Sequence, residues 1–375
     1  MMLGRFIIDT TSTRGLAARL LLLAALAATV AACGDNDATT GAATTTRTTT
    51  ASAGDQGWRR VVPGGDCQCS DGSTFSYWIR KANPKKVVFY LQGGGACFSA
   101  KTCARGSELY RPNLRSDDGP TGQAGMFDLA DKRNPFADYS IVYVPYCTGD
   151  VHLGNTTTKY APGLTVRHKG YVNGTAALDR MTATFPDATN VAVLGESAGS
   201  IAAPLYAGLA SDRLPKARIT VLADGSGSYP DVPAFNKIIA AWGAGNALPG
   251  WAKSAGRSAK RWSFPGFFIQ SGRHNPKIVF ARHDHAYDEV QELWYPLVGV
   301  PAKDLLSLID ANEAQIEAAG VDLVSYVAPG AEHTALSDGT LYTEEVDGRP
   351  LHEWVTRLLT GGPVDDVHCT DCSGG

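Results

Sequence analysis

The sequence predicts an α/β fold: a mostly parallel central sheet with helices on both faces. Three observations carry this prediction. First, short apolar runs rich in β-branched and aromatic residues recur along the chain, at 86–91 (KVVFYL), 140–145 (SIVYVP), 190–194 (NVAVL), 218–222 (RITVL), 277–281 (KIVFA) and 322–327 (DLVSYV). Continuous rather than alternating apolar runs are what strands buried on both faces require. Second, segments of helical pattern at 174–185, 200–210, 302–319 and 350–359 fall between several of these runs, and strands that alternate with helices build parallel sheets. Third, the 375 residues are 44% hydrophobic and 19% charged, enough to bury a large core.

Taken in order, the chain opens with basic residues (Arg5, Arg14, Arg19), an apolar stretch over 20–28 and small residues before Cys33. That pattern reads as an export signal over 1–33, and Val30-Ala31-Ala32-Cys33 is similar to a bacterial lipobox whose Cys becomes lipidated. The stretch is too short to be a convincing membrane span. Residues 34–57 are Thr, Ala, Gly and Asp with almost no large apolar side chain, so they read as a disordered tether. Residues 58–375 then read as a single domain, and the export signal leads us to expect the protein at the cell envelope or outside the cell. Formal net charge is −3, which supplies no basic field for nucleic acid. The only membrane contact expected is a lipid at Cys33; oligomeric state is not legible.

The chain has eight cysteines, and export implies an oxidising compartment. Cys33 apart, an odd number remains: Cys67, Cys69, Cys97, Cys103, Cys147, Cys369 and Cys372. Cys369-Thr-Asp-Cys372 has the spacing of a dithiol redox motif, but it sits in a Gly-rich tail rather than at a helix N-terminus, where a thiolate would be stabilised. The spacings of Cys67, Cys69 and the tail also do not match structural zinc sites. The segment 229–271 breaks the strand–helix rhythm with Phe235, Trp242, Trp251, Trp262, Phe264, Phe267 and Phe268 among Gly and Pro. It reads as a lid-like insertion near the active site, or as aromatics packing the insertion onto the sheet.

Gly195-Glu196-Ser197-Ala198-Gly199 follows the run 190–194 and precedes a helical segment, the context of a nucleophile elbow in an α/β-hydrolase. A Ser on a sharp strand-to-helix turn is exposed, and the helix N-terminus favours developing negative charge. Pro204, about two turns on, predicts a kink or a shortened first helical segment. The base is expected after the last strand, where His333 lies. His283 and His285 read as solvent-facing loop residues, with a metal pair the lesser reading. The acid belongs after the preceding strand, where Asp284 and Asp288 both stand, and Asp224 is a third candidate one strand early. Oxyanion donors are expected from Ala198 and from the Gly93-Gly94-Gly95-Ala96 loop.

Several strings together resemble the pectin acetylesterase and Notum family of carboxylesterases: residues 69–73 (CSDGS), 91–97 (LQGGGAC), 144–150 (VPYCTGD), 195–199 (GESAG), 222–226 (LADGS) and 286–291 (AYDEVQ). The resemblance implies Ser197, Asp288 and His333 as catalytic residues, with Asp288 chosen by the Tyr287-Asp288-Glu289-Val290-Gln291 element and Asp224 left structural. It implies an oxyanion hole of Gly94, Gly95 and Ala198, disulfides Cys97–Cys103 and Cys69–Cys147, and chemistry without metal or organic cofactor. Where the family often has Trp beside the glycines this chain has Ala96, and Ser200 replaces a further Gly. The expected activity is serine carboxylesterase action on a small-molecule or polysaccharide ester, with short acyl (acetyl) groups leading. A catalytically inert surface-tethered binding protein on the same shell is the alternative.

Overall fold

Nine strands form the central sheet, in the order β1-β2-β4-β3-β7-β8-β9-β10-β13. In chain order the elements are β1 (Trp58–Val61), β2 (Tyr77–Arg80), β3 (Asn83–Leu91), β4 (Tyr139–Val144), a separate hairpin of β5 (Thr156–Ala161) and β6 (Leu164–His168), α1 (Gly170–Thr184), β7 (Asn190–Glu196), α2 (Ala198–Arg213) and β8 (Arg218–Asp224). They continue with α3 (Pro233–Ala241), α4 (Phe264–His274), β9 (Val279–His285), α5 (Glu289–Val298), α6 (Leu305–Ala318), β10 (Leu323–Ala328), α7 (Thr340–Thr343), β11 (Glu345–Val346), β12 (Arg349–Pro350), α8 (Leu351–Thr360) and β13 (Val367–His368). The computed structural model describes residues 57–115, 118–251, 262–301 and 304–373. The expected signal segment 1–33, and the tether 34–57 apart from Gly57, lie outside the described residues, as does 252–261 of the aromatic insertion.

β1 and β2 pair antiparallel, as do β2 and β4; every pairing from β4 onward through β13 is parallel. The α/β prediction is met, and the apolar runs have a direct cause. Along β3, Val87, Phe89 and Leu91 enter one core layer with α1, α2 and α4, while Val88 and Tyr90 enter the other with α8. Alternate side chains point to opposite faces, and because both faces are covered, both sets are apolar. Among the described residues, no helix is long and apolar enough to cross a membrane.

Two expectations need correction. α2 is not shortened at Pro204: it runs unbroken from Ala198 to Arg213, with residues Ala198 through Ser211 buried. Packing on every side holds the helix through the missing donor, overriding a local penalty of roughly 3 kcal/mol. His283 and His285 are not loop residues facing solvent. β9 extends past the apolar run to His285, and both rings are buried.

Among the described residues three disulfides form, Cys69–Cys147, Cys97–Cys103 and Cys369–Cys372, leaving Cys67 as a half-buried thiol. The sequence left the last three cysteines unassigned; the tail loop closes on itself. Cys69–Cys147 spans 78 residues, so chain-entropy arguments assign it about 4 to 5 kcal/mol. It ties the loop before β2 to the end of β4.

Candidate active site

Ser197 caps α2 at the end of β7 with φ 50° and ψ −117°, a backbone state that a side chain rarely adopts. Holding it there costs roughly 1–3 kcal/mol. Neighbouring bonds supply that: the Ser197 N–H donates to the Asp224 carbonyl at 2.7 Å, and the Ser197 carbonyl accepts from the Ser200 N–H at 3.1 Å. The turn also needs Gly199, since a Cβ there would fall 2.6 Å from the carbonyl carbon of Leu91 on the neighbouring strand.

His333 lies in the loop after β10. Its Nδ1 is 2.7 Å from Oδ2 of Asp288. Asp288 is fully buried and is the N-cap of α5: its Oδ1 accepts from the Val290 and Gln291 backbone N–H groups, each at 2.9 Å. Gln291 Nε2 donates to Asp288 Oδ2 at 2.9 Å, while its Oε1 accepts from the Ser228 N–H at 3.0 Å and the Ser228 hydroxyl at 2.7 Å. The carboxylate is thus fixed in both position and rotation. The sequence marks Gln291 only as part of a motif; its bracing role depends on Ser228, a residue 63 positions away.

The other two acids go elsewhere. Asp284 accepts from the Gly227 N–H at 2.6 Å and Gln291 Nε2 at 3.1 Å, and lies 3.7 Å from Arg282 Nε. Asp224 accepts from the Ala335 and Leu336 N–H groups at 2.9 Å each, and so pins the loop just beyond His333. Ser197 and His333 each reach the end of β8: the Ser197 N–H bonds to the Asp224 carbonyl, and a Cβ on the next residue, Gly225, would sit 3.3 Å from His333 Cε1. Among the described residues, His333 Nε2 is buried and has no hydrogen-bond partner. Burial lowers the pKa of this ring, but the hydrogen bond and charge of Asp288, with more distant help from Asp224 and Glu196, outweigh it and leave the pKa above the ordinary histidine value.

The glycine loop after β3 closes over the elbow. A Cβ at Gly93 would lie 3.0 Å from that of Ser197, so the loop and the serine are in van der Waals contact. Gly95 has φ 74°, and any side chain there would strike the Leu109 carbonyl. Gly95, Ala198 and Ser197 line one and the same cavity. That cavity measures about 440 Å³, its mouth included, and is lined also by Ala96, Phe98, Val151, Ile201, Tyr229, Phe235, Ile238, Trp242, Phe264, Trp294 and Val298. The described aromatics of the insertion divide between two places. Tyr229, Phe235, Trp242 and Phe264 face the cavity, whereas Trp262, Phe267 and Phe268 are buried in the core beside the sheet.

Behind the serine lies a buried polar cluster that the sequence did not reveal. Glu196 accepts from the Ser337 N–H at 2.9 Å and pairs with the Tyr90 hydroxyl. Burial, then the charge of Asp224, raises its pKa to about 7. His283 has Asp224 Oδ1 at 2.7 Å from Nδ1 and Glu344 Oε1 at 2.7 Å from Nε2, and His285 Nε2 meets Glu344 Oε2 at 2.7 Å. His283, His285 and Glu344 are the one cluster of potential cation ligands among the described residues that includes no disulfide sulfur. At these separations each shared position is a hydrogen bond, shorter than the span between two ligands of a tetrahedral metal at about 2.0 Å.

A family model for pectinacetylesterase matches residues 62–240. The chain is 31% identical over 148 residues to a palmitoleoyl-protein carboxylesterase of Schmidtea mediterranea, covering 36% of this chain and 26% of that protein. It is 25% identical over 201 residues to pectin acetylesterase 11 of Arabidopsis thaliana, covering 48% and 50%. An inactive palmitoleoyl-protein carboxylesterase of Danio rerio is 29% identical over 118 residues, covering 30% of this chain and 82% of that one. With the first two relatives, the chain matches half of their length or less. Three lines converge: the ordered motifs, the parallel sheet with a serine elbow, and these matches. Residues 62–240 carry the pectinacetylesterase family's pattern, and the chain is similar to pectin acetylesterases and palmitoleoyl-protein carboxylesterases.

Proposed function

We propose that this protein is a serine carboxylesterase that works through an acyl-enzyme, with Ser197 as nucleophile, His333 as base and Asp288 as the acid that orients it. The single observation that supports this most is the Asp288–His333 pair, 2.7 Å apart, with an unpartnered Nε2 beside a strained serine. As Ser197 Oγ bonds to the acyl carbon, its proton passes to His333 Nε2, and Asp288 stabilises the imidazolium. The carbonyl oxygen takes the negative charge and receives N–H donors from Gly94, Gly95 and Ala198, each such donor worth about 10²–10³ in rate. Collapse breaks the bond to the alcohol oxygen, which takes the proton from His333. Water, deprotonated by the same ring, then releases the acid. These steps use the chain's own residues and need no metal or organic cofactor.

Acetyl on a polysaccharide is the substrate the resemblance favours. The apolar, aromatic wall beside Ser197, with Tyr229, Phe235, Trp242 and Phe264, favours a second reading, an acyl group longer than acetyl. In this reading residues 58–375 are one catalytic domain, and the insertion 229–271 forms the acyl wall. Residues 1–33 direct export, and Cys33 carries the lipid that holds the enzyme at the cell envelope.

The test is hydrolysis of p-nitrophenyl esters from acetate to palmitate by the wild-type protein and by Ser197→Ala. The proposal expects turnover that the mutant loses, with labelling of Ser197 by a fluorophosphonate. The chain-length optimum decides between the two acyl readings. Folded protein with neither turnover nor labelling would favour the inert shell, a state one relative is described as having.

A further inference from the structure

The buried cluster behind the serine does nothing in the reaction as written, yet its bonds lead to both halves of the machinery. Asp224 is the junction. Its carbonyl takes the Ser197 N–H at 2.7 Å, one carboxylate oxygen takes the Ala335 and Leu336 N–H groups, and the other faces His283 Nδ1 at 2.7 Å. A carboxylate with no solvent contact is costly unless it is paired. The partner is His283, whose two nitrogens each face a carboxylate oxygen, from Asp224 and from Glu344, at 2.7 Å. Between two carboxylates, both ionised, a neutral imidazole would leave one of these contacts without a proton.

We propose that His283 is a permanently protonated imidazolium, that it holds the Asp224 side chain in place through the contact at Nδ1, and that Asp224 in turn fixes the His333 loop relative to Ser197. His283 and Asp224 are then positioning residues for the esterase reaction, not catalytic ones, since neither touches the ester; this role rests on the reading of Ser197 and His333 given above. The groups facing His283 are Asp224 from β8, Glu344 from the turn after α7, His285 from its own strand, and Tyr326 from β10, whose ring centroid is 5.7 Å away. Glu196 from β7 adds its charge on Asp224. Burial disfavours the charge on His283, but Glu344 and Asp224 together hold its pKa well above the ordinary value. Glu344 is held low, at about 2: burial raises it, and His283 and His285 outweigh that. Asp224 and His283 do not line the acyl cavity, so their removal acts on kcat and spares KM.

The experiment has two arms. In the first, nitrogen-15 NMR of histidine-labelled whole protein, with His283 assigned by His283→Gln, expects both ring nitrogens protonated from about pH 5 to about pH 8. A neutral ring in that range would overturn the proposal. In the second, steady-state kinetics per folded molecule compare wild type, Ser197→Ala, Asp224→Ala, Asp224→Asn and His283→Gln. Asp224→Ala should lower kcat about a hundredfold at unchanged KM, the scale of a loop displaced by about 1 Å. Asp224→Asn should recover part of the loss, because its amide oxygen can still accept from Ala335 and Leu336. His283→Gln should lose less than Asp224→Ala in the same direction.

If all three variants lose only thermal stability, with kcat unchanged in the folded fraction, the positioning role is refuted. Activity lost on dialysis against a chelator and restored by a divalent ion would refute the imidazolium, because a cation would then occupy the proton's place. Absence of wild-type turnover would instead refute the esterase reading, and the NMR arm would still decide the state of His283.

Discussion

Replacing Asp288 by Asn tests the assignment of the acid, because the surroundings dictate how the new amide must sit. Asp288 Oδ1 accepts two backbone N–H groups at 2.9 Å. Turning the NH₂ toward them would forfeit both bonds, about 1 kcal/mol each before the cost of leaving the donors buried and unpaired. Asn is also as good an N-cap as Asp, so the helix does not force a change. The amide oxygen therefore stays on the cap and the NH₂ faces His333 Nδ1 and Gln291 Nε2. Gln291 cannot turn to accept, because Ser228 holds its Oε1 through two bonds. His333 must then present a bare Nδ1, its proton moves to Nε2, and the ring can no longer take the serine proton. A tautomer error of this kind lowers kcat about ten-thousandfold. The donor–donor contact with Gln291 should cost only about 1 to 2 kcal/mol of stability. The assay is steady-state p-nitrophenyl ester hydrolysis alongside thermal unfolding. A folded Asp288→Asn protein within tenfold of wild-type kcat would refute Asp288 as the orienting acid and reopen the case for Asp284.

Further outcomes follow from the same geometry. The kcat/KM of wild type should rise with pH through an apparent pKa above the ordinary histidine value of about 6.5, since His333 must be neutral to act and Asp288 stabilises its charged form; a profile that is flat or rises at a lower pH would contradict this. Glu196 has its pKa raised from 4.5 to about 7, so the folded state binds this proton more tightly than the unfolded chain. Its stabilising contribution is full below the unfolded value and fades as pH climbs through the folded one, by at most about 3 kcal/mol. Glu196→Gln, which cannot ionise, should match wild type in acid and exceed it above neutrality; a stability difference that does not grow with pH would be the wrong result. Ile201 lines the acyl cavity and is nearly buried, so Ile201→Phe should shift the chain-length optimum of ester hydrolysis downward while sparing the shortest substrate. An equal loss on every ester would show that the cavity does not hold the acyl group.

The elements legible in the sequence were those whose residues are buried on both faces. β3, β4, β7 and β8 each bury alternate side chains in opposite core layers, so they appear as apolar runs whatever their neighbours are. β1, β2 and β13 were not legible, since they are two to four residues long and owe their strand character to the partner they pair with. The hairpin of β5 and β6 is largely polar and gives no run to detect. β9 was read too short for a related reason. Its second half is Arg282-His283-Asp284-His285, and such residues enter a buried strand only because partners elsewhere in the chain satisfy them: Glu313 for Arg282, Asp224 and Glu344 for the histidines.

The serine elbow belongs to what the sequence by itself determines. Its glycines and its place between a strand and a helix are local requirements of one tight turn, and local requirements are written in neighbouring residues. The order of serine, acid and histidine along the chain is legible for the same kind of reason, because it follows the order of the strands. Which acid meets His333 is different. Asp284 and Asp288 are four positions apart, and spacing does not separate them. Asp284 is the last residue but one of β9 and turns toward Gly227, whereas Asp288 caps α5 and turns toward His333. The state of His283 and the bracing of Asp224 likewise depend on carboxylates more than fifty residues away. Hydrogen bonds and buried charges act over a few ångströms of space, so only the tertiary structure can decide which distant residues come within that reach.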